Sequence, residues 1–286
     1  MGGELRGVFT LRTTLDADGL APVLDKGGEL LIVGGGYIGL EVAAVAAKAG
    51  LTVTVVEMAD RILQRVASEE TSNYFRDLHT RNNVRIMERT ALGELLGEGG
   101  AVTGARIGDE MHVDTDAVLC GIGIVPDVSL AEEAGLTTDN GIAVDSQCRT
   151  SDPHIYAAGD CAGFEFRGQQ IRLESVPNAI HQAETAAQNM LGESIEYVAK
   201  PWFWSDQYDV KLQIAGLNSG YTSTVVRPGK RDGAQSVWYY QGETLLAVDA
   251  MNDAPAFMTA RRLIDSGASV PPQMAADPAV ALKDFG

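Results

Sequence analysis

Gly34, Gly36 and Gly39 stand in a G-x-G-x-x-G array, and an acid, Glu57, lies 18 residues beyond the last of them. That combination suits a dinucleotide. The first glycine permits a tight turn, the second lets backbone approach a pyrophosphate, and the third packs a helix against a strand. The helix N-terminus adds partial positive charge. Glu57 can accept hydrogen bonds from both hydroxyls of an adenosine ribose, and its charge repels a 2′-phosphate, which favours NAD(H) over NADP(H). Arg61 and Arg65 keep the phosphorylated form open as an alternative. Glu41, just inside the same helix, has two readings: an acid that suits the helix dipole, or a contact to the nicotinamide.

These residues need a strand, a turn and a helix to hold them, and the flanking sequence supplies all three in order. Leu30-Leu31-Ile32-Val33 reads as a short buried strand, residues 40–49 as a helix closed by Gly50, and Thr52-Val53-Thr54-Val55-Val56 as a second buried strand ending at Glu57. A helix over residues 69–82, a strand over 84–86 and an antiparallel meander over 101–120 follow. Residues 121–150 are rich in turns, and Ile155-Tyr156-Ala157-Ala158 reads as a small-residue strand stopped by Gly159 and Asp160. Asp160, a carboxylate at a strand end, can hold a polyol hydroxyl or simply cap the turn. Ser175 and Pro177 open a helix in which Val176, Ile180, Ala183, Ala187, Met190 and Leu191 recur at helical spacing. His181 on that helix reads as a packing residue. From Pro201 the chain turns aromatic and β-rich, with one further helix over 254–266, which puts a domain boundary near Ala199. Trp202 and Trp204 lie two apart on a strand, hence on one face, either as core or as the wall of a cofactor site.

At 286 residues and about 150 per domain the chain holds about two domains, and 45% hydrophobic with 21% charged residues is an ordinary globular composition. A net charge of −17 repels nucleic acid and anionic lipid, so neither is expected as a partner. No apolar run reaches membrane-spanning length, and the first 20 residues lack the pattern of a secretory leader. Cys120, Cys148 and Cys161 form no C-x-x-C, and the four histidines share no short ligand spacing, so no metal is expected and the reducing cytoplasm is the default location.

The strings GGGYIGLE, TVTVVE, GIGIVPD, TSDPHIYAAGDCA, ESVPNAIHQA and PWFWSDQYDVKLQIAG occur in the order seen in FAD-dependent NADH:ferredoxin reductases, and nearly the whole chain resembles that family. It is similar to the putidaredoxin, rubredoxin and biphenyl-dioxygenase reductase group within the glutathione-reductase-like fold. The resemblance implies an α/β architecture: a Rossmann-like NAD-binding domain at residues 26–145, the remainder of a second Rossmann-like, FAD-binding domain at 146–198, and a C-terminal α+β interface domain at 199–286. Residues 1–25 would connect to an FAD lobe. A second glycine fingerprint is expected for FAD, and the other glycine clusters, at 97–102 and 121–126, fail the pattern, so the N-terminal FAD lobe is expected to be missing from this chain. On matching positions the resemblance places NAD at Gly34, Gly36, Tyr37, Ile38, Gly39, Glu41, Glu57, Arg65, Ile122 and Gly123. It places FAD at Arg12, Asp160, Glu174, Val176 and Trp204, with Asp160 on the ribityl chain, Val176 by the pyrimidine edge and Trp204 beside the isoalloxazine.

The implied activity is electron transfer from NADH through FAD to a small iron-sulfur protein, a ferredoxin or rubredoxin. No side chain is nominated as general acid or base, because the flavin carries the chemistry. Two alternatives remain: a flavin-free NAD-binding redox sensor, and a pyridine-nucleotide disulfide oxidoreductase. The second needs a histidine-acid pair in the C-terminal domain, and no histidine follows His181. An acidic iron-sulfur partner requires local positive charge. Residues 200–235 carry Lys200, Lys211, Arg227, Lys230 and Arg231 against Asp206, Asp209 and Asp232, and the turn containing Arg227, Lys230 and Arg231 is the expected docking cluster.

Overall fold

A computed structural model describes residues 2–108 and 110–285. Its first unit contains β1 (Val8–Phe9), β2 (Glu29–Val33), β3 (Thr52–Val56), β4 (Arg85–Met87), the hairpin strands β5 (Leu92–Glu98), β6 (Ala101–Ile107) and β7 (Met111–Asp114), and β8 (Ala117–Cys120). Five of these form a parallel sheet in the order β1-β8-β2-β3-β4. Runs such as Leu30-Leu31-Ile32 and Val53-Thr54-Val55-Val56 are buried on both faces, which is why they lack alternation. The helix α1 (Thr14–Lys26) precedes β2, α2 (Tyr37–Lys48) links β2 to β3, and α3 (Glu69–Arg81) links β3 to β4. Thr13 and Asp16 form a reciprocal capping box at the start of α1, so the stretch expected as a connector contains a helix of its own.

The expected meander needs one correction. Antiparallel pairing covers β5, β6 and β7 and begins before residue 101, but β8 leaves it to lie parallel between β1 and β2. Ala117, Val118 and Leu119 are all buried, the signature of a central parallel strand rather than a two-faced one. The strand expected at residues 155–158 is also corrected. Only Tyr156 forms a bridge, with Arg149, so among the described residues no ladder converts this extended backbone into a strand.

After α4 (Ser129–Glu133), a small sheet is formed by β9 (Ile142–Ala143), β10 (Ala162–Phe166) and β11 (Gln169–Arg172), and α5 (Val176–Met190) follows. The C-terminal sheet has β12 (Trp202–Gln207), β13 (Val210–Gly216), β14 (Ser223–Pro228), β15 (Gln235–Gln241) and β16 (Thr244–Met251) in the antiparallel order β12-β13-β16-β15-β14. Period-two alternation divides its two faces. Trp238, Tyr240, Val248 and Ala250 pack on Phe257, Ala260 and Leu263 of α6 (Ala254–Ser266), with α7 (Pro272–Ala276) alongside β14. Val237, Tyr239, Ala247 and Met251 face the other way and meet Leu40 of α2 with Phe75 and Leu78 of α3. This apolar seam joins the C-terminal sheet to the parallel-sheet unit. Each large side chain buried there contributes roughly 1.5–3 kcal/mol.

Candidate dinucleotide and flavin sites

The glycine turn follows β2 at the C-terminal edge of the parallel sheet, where such sheets bind ligands. A Cβ at Gly39 would lie 2.2 Å from the Gly34 carbonyl oxygen, and one at Gly34 would lie 2.4 Å from the Gly121 oxygen, with Gly34 at φ +109°. Backbone therefore fills both positions. Gly36 differs: a Cβ there meets nothing within 4 Å, and Gly36 caps α2 with no side chain on its N–H groups. The turn thus leaves room and donors for an anion. Glu57 is fixed beside it, since Gly35 N–H donates to Oε2 and Ala59 N–H to Oε1, each at 2.8 Å. Ile38, Ile122 and Gly123 are at this edge, and a Cβ on Gly123 would sit 3.5 Å from the guanidinium of exposed Arg65. Arg61 is committed elsewhere, to the Ala67 and Ser68 carbonyls and the Ser72 hydroxyl. Of the two arginines that could greet a 2′-phosphate, only Arg65 is left.

Glu41 sits one turn into α2, half-buried against β12, where the Ser205 hydroxyl donates to its Oε1 at 2.6 Å. Burial pushes its carboxyl above the ordinary value and the Ser205 hydrogen bond opposes that shift. The Tyr37 ring packs on Phe203 at 4.9 Å, and its hydroxyl is buried in the seam without a partner among the described residues, so it is the Tyr37 backbone that belongs to the turn. Deeper in the seam Asp249 Oδ2 accepts from Thr71 Oγ1 at 2.7 Å and from the Tyr239 hydroxyl, while Oδ1 has no partner among the described residues. Complete burial raises the Asp249 carboxyl to about 6.

The flavin candidates come from separate segments. Arg12, before α1, reaches Asp160 with Nη1 at 3.4 Å from Oδ2, so two residues 148 positions apart meet. Arg172 donates to the Asp160 carbonyl at 2.8 Å and pairs with Glu174 at 2.6 Å. At the start of α5 the Ser175 hydroxyl takes the Asn178 N–H and Pro177 has none, leaving the Val176 N–H without an internal partner among the described residues. Val176 and Ile180 are 58% and 50% exposed, an apolar edge beside a free donor that fits a flat ring with a polar rim. Trp204 stacks on Trp202 at 5.5 Å, as strand alternation requires, and the Arg261 guanidinium lies over the Trp202 ring at 5.3 Å. The strand β12 packs against both α2 and α5. It therefore lies between the nucleotide candidates and the flavin candidates.

The family described as pyridine nucleotide-disulphide oxidoreductase matches residues 1–183, and a reductase C-terminal family matches residues 202–286. The chain belongs to the pyridine nucleotide-disulphide oxidoreductases. This reductase is 43% identical to a ferredoxin--NAD(P)(+) reductase of a Sphingomonas species, over 99% of its own length and 69% of the relative's. A ferredoxin reductase from Rhodopseudomonas palustris superposes with a TM-score of 0.95 at 39% identity, covering 99% of this reductase and 70% of that chain. A covalent putidaredoxin reductase-putidaredoxin complex gives 0.94 at 38% identity, covering 99% and 69%. The architecture named from the resemblance is the one found, with FAD- and NAD-binding oxidoreductases as structural neighbours and a C-terminal reductase domain.

Two expectations change. His181 is exposed on α5 rather than packed, because its position falls on the outward stripe of the helix. Arg227 is buried: its guanidinium donates to the carbonyls of Ala275, Asp277 and Val280 and lies over Phe285, so it fastens the C-terminal segment and leaves the docking cluster. Ser205, Gln207 and His79, which meet near Glu41, escaped sequence reasoning. The available signal was two uncharged polar residues at strand spacing, Ser205 and Gln207, directly after the aromatic run. Among the described residues no helix is long and apolar enough to cross a membrane.

Proposed function

We propose that the reductase binds NADH at the Gly34–Gly39 turn and FAD along the edge formed by Arg12, Asp160, Glu174, Val176 and Trp204, and reduces a small iron-sulfur protein of the ferredoxin type. When bound along this edge, FAD would supply the redox chemistry, hydride acceptance from NADH and single-electron release to the partner. The α2 N-terminus holds the pyrophosphate, Glu57 accepts from the ribose hydroxyls, and Arg65 with the turn at Ile122 and Gly123 flanks the same groove. Glu41 accepts from the nicotinamide end. The Val176 N–H would donate to the flavin at the α5 N-terminus, where the helix dipole favours negative charge. In this reading residues 26–145, 146–198 and 199–286 are the NAD, FAD and interface domains. The cysteines are free and unpaired, which suits the cytoplasm.

The observation that carries the proposal is the place of β12, packed against both α2 and α5, so that Glu41, Trp204 and Val176 lie on adjoining elements. FAD-loaded protein mixed anaerobically with NADH should lose its oxidised-flavin absorbance and reduce an added ferredoxin. NADH should bind at least about tenfold more tightly than NADPH, and Glu57→Ala should erase most of that difference. Equal affinities in the parent would remove the NAD assignment, and reduced flavin that never passes electrons to a ferredoxin would remove the partner.

A further inference from the structure

A hydrogen-bonded chain runs through the seam beneath Glu41, and every link points the same way. Ser205 and Gln207 lie two apart on β12 and so share the face turned to the parallel-sheet unit; they are 1% and 0% exposed. The Ser205 hydroxyl donates to Glu41 Oε1 at 2.6 Å, and Gln207 Nε2 donates to Ser205 Oγ at 3.1 Å. Gln207 Oε1 lies 2.8 Å from Nε2 of His79, on α3 and fully buried, and the Tyr208 hydroxyl lies 3.2 Å from His79 Nδ1. An amide oxygen only accepts, so His79 carries its proton on Nε2 and Nδ1 accepts from Tyr208. With the Gln207 amide donating to Ser205 Oγ, the one Ser205 proton goes to Glu41.

We propose that Ser205, Gln207 and His79 form a positioning relay that holds Glu41 as a charged acceptor for the nicotinamide end of the dinucleotide. The proposal rests on the nicotinamide reading of Glu41. Its physical basis is what reversing the chain would require. With Gln207 turned over, His79 carries its proton on Nδ1, Gln207 Nε2 donates to His79, and Ser205 donates to Gln207 Oε1. Glu41 must then be protonated to donate to Ser205. The observed direction thus lets Glu41 stay charged, whereas the reverse direction requires it to be neutral, and a charged acceptor holds a carboxamide N–H more strongly than a neutral one. The relay leaves the parallel-sheet unit at Glu41, crosses β12 and returns at His79, so the setting of Glu41 depends on how β12 is seated.

The experiment measures NAD⁺ binding and the His79 ring nitrogens in the same protein. Gln207→Glu keeps size and the acceptor for His79 but removes the donor, so the Ser205 proton turns to the new carboxylate and leaves Glu41. Its NAD⁺ dissociation constant should rise about tenfold, as should that of Ser205→Ala, which removes a single oxygen and serves where Gln207→Glu folds poorly. In a Glu41→Ala background, itself weakened, either change should add less than about twofold. In ¹⁵N-labelled parent protein the free His79 ring should show the Nε2–H tautomer, and NAD⁺ should shift its nitrogen resonances; in Ser205→Ala that shift should vanish. Weakened binding in Glu41→Ala together with parental binding in Gln207→Glu and Ser205→Ala, or additive losses, would overturn the relay alone. Parental binding in Glu41→Ala would overturn the nicotinamide reading, and the relay with it.

Discussion

The dinucleotide turn and the flavin-facing edge are built by opposite means. At the turn backbone does the shaping: carbonyl oxygens of Gly34 and Gly121 occupy the space where Cβ atoms would be, and two backbone N–H groups hold Glu57. At the flavin edge four separated segments contribute side chains, the one ion pair between candidates is half exposed, and the apolar residues Val176 and Ile180 face outward. A site made of backbone is inseparable from the fold, whereas a site made of exposed side chains can lose a member with the fold intact. Substitutions at the backbone-filled turn positions Gly34 and Gly39 should therefore move stability and binding together, and substitutions at the edge should move binding alone.

The sharpest way to break this contrast lies inside the glycine turn. Gly39→Ala forces a methyl to within 2.2 Å of the Gly34 oxygen, so α2 must shift away from β2. We expect a stability loss of about 3 kcal/mol or more and NAD⁺ affinity reduced at least about 100-fold. Gly36→Ala meets open space, so its melting temperature should stay at the parental value while the methyl intrudes on the pyrophosphate and weakens NAD⁺ by about 10-fold or more. Thermal melts beside NAD⁺ titrations check both. A Gly39→Ala protein as stable as the parent would show that the turn is not a backbone-limited site.

The seam beneath the C-terminal sheet should respond to pH. The Asp249 carboxyl titrates near 6 when folded, against 3.8 ordinarily, because burial disfavours its charge. Between those values the folded protein keeps a proton that the unfolded chain has released. The contribution of Asp249 is thus fully present below about 4, declines as pH rises to about 6, and is gone above, a change on the order of 3 kcal/mol. Asp249→Asn cannot titrate. Urea unfolding of parent and variant at several pH values should show the variant gaining on the parent by that amount from pH 4 to pH 7, and parallel curves would sink the assignment.

Sequence could reach the turn because its chemistry, glycine spacing and a following acid, is local and tied to a strand-helix pattern. It could not reach the seam, because Glu41 and Ser205, or Thr71 and Asp249, are joined only by the docking of α2 and α3 on the C-terminal sheet. Arg227 was misplaced for a related reason. Counting charges treats every arginine as surface, yet Val225 and Arg227 share a strand face and Val225 packs against the core, a pattern that points Arg227 inward. The strand at residues 155–158 failed because β character depends on a partner, and among the described residues only Arg149 offers one bridge.

At the flavin edge the expected effect is smaller than at the turn. Asp160→Ala removes the partner of Arg12, but so exposed an ion pair contributes at most about 1 kcal/mol to stability. The melting temperature without cofactor should barely move, while FAD affinity should fall by about tenfold through loss of one charge-assisted hydrogen bond. Equilibrium FAD titrations measure the second quantity. A large stability loss without change in FAD binding would reverse the contrast and make Asp160 a structural turn residue.

The smallest effect concerns the partner. Of the five basic residues in 200–235, Arg227 is buried, Lys211 pairs with Asp206 at 3.6 Å and exposed Lys200 lies outside the turn, so the expected cluster shrinks to exposed Lys230 and Arg231, with Asp232 beside them. Two charges on a protein of net charge −17 can bias the approach of an acidic iron-sulfur protein only weakly, and the bias is screened over about 8 Å at physiological salt. Reversing both, with Lys230→Glu and Arg231→Glu, should slow ferredoxin reduction about two- to fivefold at low salt and leave it unchanged at high salt, with NADH reduction of a small neutral acceptor unaffected throughout. Arg227→Glu should behave differently, unfastening the C-terminal segment and lowering the melting temperature at any salt, since a buried guanidinium with three carbonyl partners is replaced by a charge that repels them. The three arginine and lysine positions thus separate an encounter effect from a folding effect. A ferredoxin rate indifferent to both the reversal and the salt would move the docking face away from this turn.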